Sequence, residues 1–137
     1  MRVLIDTNVI IDFIADRQPF SESAFAIMNL CVNSKITGFI AAHTIANIFY
    51  ILRKSHSIAE RKDILFKICN IFDVVGIDIA KLESALTNED FTDFEDCLQF
   101  ECAKDANADY IVTRNVGDFS YSSVTAIESA ELLKLIK

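Results

Sequence analysis

Carboxylates dominate the chemistry that this chain can offer. Asp6 stands directly after the apolar run Val3-Leu4-Ile5. Asp93 and Asp96 lie three residues apart at the opening of a late helical stretch, and Asp118 follows the apolar run Tyr110-Ile111-Val112 after a short loop. Acids three apart share a helix face; here that face continues through Phe100 and Ala103 and is otherwise apolar. Carboxylates gathered in a half-buried crevice repel one another and lose hydration. Either their pKa values rise or a cation compensates, and an all-oxygen donor set suits a hard divalent ion such as Mg²⁺ or Mn²⁺. Each acid also has a plainer reading. Asp6 fits the N-cap of the next helix, Asp93 and Asp96 fit first-turn acids favoured by the helix dipole, and Asn115 to Asp118 fits a turn. Convergence favours the functional reading, because all three segments begin at the same expected edge of one sheet.

Other reaction types find little support. His43 and His56 are the only histidines; His43, just after an expected strand, is a weak ligand candidate and His56 reads as surface. There is no GxSxG elbow around a serine and no phosphate-cradling GxxxxGK[ST] or GxGxxG loop. The four cysteines, at 31, 69, 97 and 102, show no CxxC spacing, and reduced core thiols are expected.

The elements that must position the acids can be read from periodicity. Val3-Leu4-Ile5 is a buried strand, and Val9, Ile10, Phe13 and Ile14 give a helix over about 8–16, ended by Pro19. A second helix runs to Val32, with Phe25, Met28 and Cys31/Val32 expected on its inner side. Gly38 to Ala41 is a second strand. A helix from His43 to Lys54 follows, with Ile45, Ile48, Phe49 and Leu52 on its apolar face and His43, Asn47, Tyr50 and Lys54 opposite. Ser57-x-x-Glu60 is a capping box opening a helix to about Ile71, and Thr92-x-x-Glu95 reads as a second one opening a helix to about Asp105. Asp73 to Ile77 and Asp109 to Thr113 are strands, with a short helix from Ile79 to Leu86 between them. Ser123 to Ala126 is read as an edge strand and Glu128 to Ile136 as a closing helix. Strands alternating with helices imply one α/β domain over residues 1–137, with a central parallel sheet of four or five short strands flanked by helices on both faces. In such sheets the ligand crevice lies beyond the carboxyl ends of the strands, where Asp6, His43 and residues 113–118 fall.

The chain has 137 residues, 52% of them hydrophobic and 24% charged, so it can bury a full core. Its formal net charge of −7 excludes holding nucleic acid or anionic lipid by bulk positive charge. Arg53, Lys54, Arg61, Lys62 and Lys67 nonetheless cluster, reading either as a solvated helix face or as a strip for a phosphate backbone. No secretory leader or membrane span is expected, and with reduced core thiols a cytoplasmic location is expected.

The stretches DTNVIID after the opening strand, DFEDCLQ at the start of the late helix and ADYIVTRNVGDF around the fourth strand resemble the PIN domain, above all the small bacterial members grouped with VapC-type toxins. The likeness runs from Arg2 to about Leu133. It implies helices packed around a parallel sheet, acids binding Mg²⁺ or Mn²⁺, and RNA cleavage leaving 5′-phosphate and 3′-hydroxyl ends. It also implies an antitoxin protein as partner and a homodimer. Carried over by position, Asp6, Asp96 and Asp118 resemble the metal-holding acids, with Asp93 a helper able to accept a proton. Asn8 and Thr113 resemble polar residues that orient ligands or water, Asn115 lies near Asp118 as a further substrate-binding candidate, and Arg114 is a candidate for a flanking phosphate. One departure stands out. Toxin-type members usually carry a Glu on the helix after the second strand, where this chain has Asn47, which offers a carbonyl oxygen but no charge. Two rivals follow from the same residues. One is a PIN-like shell that only binds RNA or protein. The other is a phosphorylation receiver, disfavoured because no lysine lies between Lys104 and Lys134.

Overall fold

The computed structural model describes residues 1–136; Lys137, the last residue of the expected 1–137 domain, lies outside them. Arg2–Ile5 (β1), Thr37–Ala41 (β2), Asp73–Val75 (β3), Tyr110–Val112 (β4) and Thr125–Ile127 (β5) form one parallel sheet in the order β3-β2-β1-β4-β5. In register, Leu4 of β1 sits between Phe39 of β2 and Ile111 of β4. Seven helices occur among the described residues: Thr7–Ile14 (α1), Ser21–Val32 (α2), Ala42–Ile51 (α3), Ile58–Ile71 (α4), Ile79–Thr87 (α5), Phe94–Asp105 (α6) and Ser129–Leu135 (α7).

Both sheet faces are covered, which is why the strands read as continuous apolar runs. Side chains alternate across the sheet: Val3 and Ile5 of β1 join one core with Ile10, Ile27, Ile48 and Leu65, whereas Leu4 joins a second with Phe39, Cys102, Ala103 and Ile111. The chain leaves β1 toward β2 on one side and returns beside β1 as β4 on the other. The point where strand order reverses therefore lies between β1 and β4, the place where a crevice opens at the carboxyl edge of such sheets. At the opposite edge, exposed turns enter β2 and β4, and Ser34 and Asn107 in them adopt left-handed backbone, with φ of 56° and 51°.

Several elements differ from the periodicity reading. The inner side of α2 is Ala24, Ile27, Met28 and Cys31, while Phe25 and Val32 are 52% and 56% exposed. Phe25 instead stacks on Phe13 at 5.9 Å between ring centres, beside α1. The helix expected to run from His43 to Lys54 ends at Ile51 and tightens into a 3-10 turn over Leu52–Lys54, which buries Leu52. The capping box at Ser57 and Glu60 forms in both directions, at 3.1 and 2.8 Å. The one read at Thr92 does not: α6 is capped by Asp93, whose Oδ1 accepts the Asp96 N–H at 2.9 Å. The fifth strand lies two residues later than expected at its start, at Thr125–Ile127. Cys31, Cys97 and Cys102 are buried thiols and Cys69 is exposed. Among the described residues, no helix is long and apolar enough to cross a membrane.

Candidate functional site

Asp6 is fixed on all sides by its surroundings. Its N–H donates to the Val112 carbonyl at 2.9 Å, extending the β1–β4 ladder by one residue. Its Oδ1 accepts the Thr7 N–H and its Oδ2 the Thr113 hydroxyl, both at 2.8 Å. Thr113 is fully buried, so it touches the carboxylate from behind, and its Oγ1 in turn accepts the Asn115 N–H at 3.0 Å. Asp6 itself is 5% exposed. Burial raises its pKa, the Thr113 and Thr7 hydrogen bonds oppose that, and the negative charges of Asp118 and Asp93 add to it.

Beyond Asp6 lies a cleft of about 460 Å³. Helix α6 and its N-cap contribute Asp93, Glu95, Asp96 and Gln99; the segment after β4 contributes Asn115 and Asp118, the latter in a 3-10 turn over Val116–Phe119. From α1 come Thr7 and Asn8, and from α3 come Asn47, Tyr50 and Ile51. Five of these lining groups are carboxylates once Asp6 is included, and none is Lys or Arg. Asp96 is half-buried, and its carboxyl is pushed up to about 7 by burial first and then by the charges of Asp93, Asp6, Asp118 and Glu95. Asn47 donates from Nδ2 to Glu95 Oε2 at 3.1 Å. Beneath them a buried network joins three elements: Gln99 Nε2 donates to Thr44 Oγ1 at 3.0 Å and Thr7 Oγ1 at 3.3 Å, and the two threonine hydroxyls lie 3.0 Å apart.

The expected site residues thus divide. Asp6, Asn8, Asn47, Asp93, Asp96, Asn115 and Asp118 share the cleft, and Thr113 supports it from below. Arg114 is elsewhere. Its Nε lies 2.8 Å from Oδ2 of the buried Asp12, its guanidinium sits 4.2 Å from the Phe20 ring centre, and it lines a second cleft of about 480 Å³. Asn115 lines both clefts. The basic cluster also divides. Arg61 is buried, donating to the carbonyls of Phe49 and Ser57, and Lys67 pairs with Asp63 at 3.0 Å. Arg53 and Lys54 remain exposed. His43 lies near Glu95 with both ring nitrogens unpartnered among the described residues, and burial lowers its pKa.

Sequence reasoning gave no role to Glu95, Gln99, Thr44 or Tyr50. Glu95 was absorbed into a capping box with Thr92, although its spacing to Gln99, i to i+4, puts the two on neighbouring positions of one helix surface. A glutamine inside the run Cys97-Leu98-Gln99-Phe100 was the available sign of a buried polar network.

The donors present fit a hard divalent cation. All are carboxylate, amide or hydroxyl oxygens. Gln99 Oε1 is buried and has no partner among the described residues, so a bound water or ion is what would satisfy it. The carboxylates line the walls without closing on a point: among the described residues, no group of three or more His, Cys, Asp or Glu side chains is gathered closely enough to hold a metal ion.

A family model described as the PIN domain matches residues 2–117. Ribonuclease VapC1 of Aquifex aeolicus (strain VF5) is 24% identical over 123 residues, covering 87% of this chain and 85% of that protein. Among solved structures, the fold is similar to VapBC2 from Rickettsia felis bound to a DNA fragment from their promoter, with a TM-score of 0.69 and 18% identity over 93% of this chain and 98% of that one. It is also similar to VapBC-1 from nontypeable Haemophilus influenzae, with a TM-score of 0.66 and 18% identity over 95% and 99% of the two chains.

Proposed function

The chain belongs to the PIN domain family, and from that premise we propose that it is a divalent-metal-dependent endoribonuclease, acting in the cytoplasm as the toxin of a toxin–antitoxin pair. The single observation that carries the reading is the cleft itself: carboxylates from the end of β1, the start of α6 and the segment after β4 face one crevice that, among the described residues, no Lys or Arg lines. Such a crevice is electrostatically unfavourable until a cation enters it. The likeness to Ribonuclease VapC1 supports RNA as the substrate, and the likeness to VapBC complexes supports an antitoxin partner. A basic antitoxin side chain entering the acidic cleft is the expected mode of inhibition. A homodimer is proposed on the family resemblance.

Asp6, Asp96 and Asp118 would hold Mg²⁺ or Mn²⁺, partly through the waters that such ions retain. Such an ion, when bound, would supply a lowered pKa for water, orientation of the scissile phosphate and neutralisation of transition-state charge. Asp93 accepts the proton of the attacking water on Oδ2, since its Oδ1 already accepts the Asp96 N–H. Asn8, Asn47 and Asn115 present amide groups to the phosphate and ribose. Thr113 holds Asp6 in place and does not meet substrate. In-line attack on phosphorus then breaks the bond to the 3′ oxygen, which leaves as an alkoxide and takes a proton from solvent water to become the 3′-hydroxyl, while the phosphate stays on the 5′ end of the downstream fragment.

Asp6→Asn preserves the helix cap, because Asn caps as well as Asp, while removing the charge. The expected outcome is a folded protein with no Mg²⁺-dependent cleavage of single-stranded RNA. Cleavage by purified Asp6→Asn at the parent rate would overturn the metal-site assignment. Calorimetry with Mn²⁺ addresses the binding-module reading: no heat of binding at millimolar metal would favour it.

A further inference from the structure

One wall of the acidic cleft is not acidic. Tyr50 and Ile51, at the end of α3, line it, and they are 62% and 42% exposed. Directly after them the helix tightens to the 3-10 turn over Leu52–Lys54. In that geometry residues i and i+3 eclipse one another, so Arg53 is carried back over Tyr50. Its guanidinium lies 3.7 Å from the ring centre and its Nη1 donates to the Tyr50 carbonyl at 3.0 Å. A guanidinium covers one face of a ring, and the exposure of Tyr50 leaves the rest of its aromatic surface open. The ring is therefore presented at the cleft in a fixed pose, backed by a cation.

That cation is unlike the other arginines. Arg17 and Arg114 both face Asp12, Arg61 is buried against backbone carbonyls, and the Arg2 Nε donates to the Ala106 carbonyl with its guanidinium over Phe39. Among the described residues, Arg53 has no carboxylate within ion-pair distance and stands beside the cleft. A phosphate backbone approaching five carboxylates needs attraction from nearby, and an open aromatic face with an unneutralised guanidinium behind it is the pairing that single-stranded nucleic acid uses: the base stacks and the phosphate is held by charge.

We infer that Tyr50 and Arg53 form a nucleotide subsite at the edge of the cleft, Tyr50 stacking on a base next to the scissile bond and Arg53 holding the adjoining phosphate. The inference rests on the nuclease reading and adds to it the seat of the strand. Stacking tolerates any base, so the subsite gives grip on unpaired RNA and not a sequence code.

The test uses the Asp6→Asn protein, expected to bind without cutting, and a fluorescent single-stranded RNA of about ten nucleotides, with anisotropy as the readout. Adding Tyr50→Ala is expected to raise Kd by about five-fold or more, and Tyr50→Phe to leave it within about two-fold. Tyr50→Leu, which keeps apolar bulk and removes the aromatic face, is expected to fail as Ala does even if Ala disturbs the fold. Arg53→Ala is expected to weaken binding and lower the slope of log Kd against log salt by about one, with Arg53→Lys restoring the slope. If the Asp6→Asn protein binds RNA and the Ala and Leu variants bind it equally well, the subsite is overturned and the nuclease reading stands. If the Asp6→Asn protein binds no RNA and the parent cuts none, both fall.

Discussion

Thr113 has no surface of its own, yet it governs how Asp6 presents its charge. A carboxylate this buried stays ionised only with donors around it, and Thr113 supplies the one side-chain donor among its partners. Thr113→Val keeps the shape and removes the hydroxyl. The expected result is a further rise in the Asp6 pKa and a loss of about 10- to 100-fold in Mn²⁺ affinity, the size typical of outer-shell partners; Thr113→Ser should recover most of it. Mn²⁺ calorimetry on the three proteins checks this. The same residue shows what sequence alone conveys at this scale. The order Thr113-Arg114-Asn115 after a strand marked the segment as important, but three consecutive side chains proved to have three different destinations: the back of Asp6, the buried Asp12 and the seam between two clefts. Side-chain direction at a strand end depends on the neighbouring element, which no spacing rule contains. Glu95 escaped for a related reason, since its contact is with Asn47, 48 positions away.

At the N-terminus of α6, cap and chemistry coincide in one residue. Asp93 closes the first turn through Oδ1 and also lines the cleft. Asp93→Ala removes both functions and is expected to cost about 1 kcal/mol of stability. Asp93→Asn keeps the cap, so its stability should match the parent while cleavage falls by about 10²- to 10⁴-fold if the carboxylate takes the proton. Urea unfolding and initial rates on the pair separate structure from catalysis. Strand β2 makes a different demand. A methyl group on Gly38 would stand 2.6 Å from Phe72 Cδ1 and 2.7 Å from Cys31 Sγ, both in the core. Gly38→Ala is therefore expected to destabilise by about 1–3 kcal/mol through overpacking, read as a lower urea midpoint with unchanged slope. Strands and most helices were legible because a doubly covered parallel sheet writes itself as short apolar runs. The inner side of α2 was not. Phe25 has the composition of a core residue, but Phe13 gives it a partner at the surface, and hydrophobicity does not say which of two apolar faces the sheet will take. Likewise Thr92 and Asp93 both suit an N-cap, and Asp93 fills the position.

At the scale of the whole molecule, the five carboxylates that line the cleft beyond the strand ends make stability depend on pH. The folded Asp96 has a pKa of about 7 against an ordinary 3.8. A raised value means that folding favours the protonated form; this contribution is fully present below about pH 4 and is lost as pH rises through about 7. Asp6 is shifted in the same direction. Without divalent metal, the melting temperature is therefore expected to fall between about pH 4 and pH 7, and Asp96→Asn to flatten that decline; scanning calorimetry in chelator checks both. Added Mn²⁺ should raise the melting temperature more at the alkaline end, since it binds the ionised form. At the other edge of the sheet, exposed turns lead into β2 and β4 through Ser34 and Asn107. Strands of three to five residues put roughly 10 Å or more of packed sheet between those turns and the acids. A dye, an affinity handle or a surface tether grafted at Ser34 or Asn107 would accordingly report on the protein, or immobilise it, with its working rim facing freely outward.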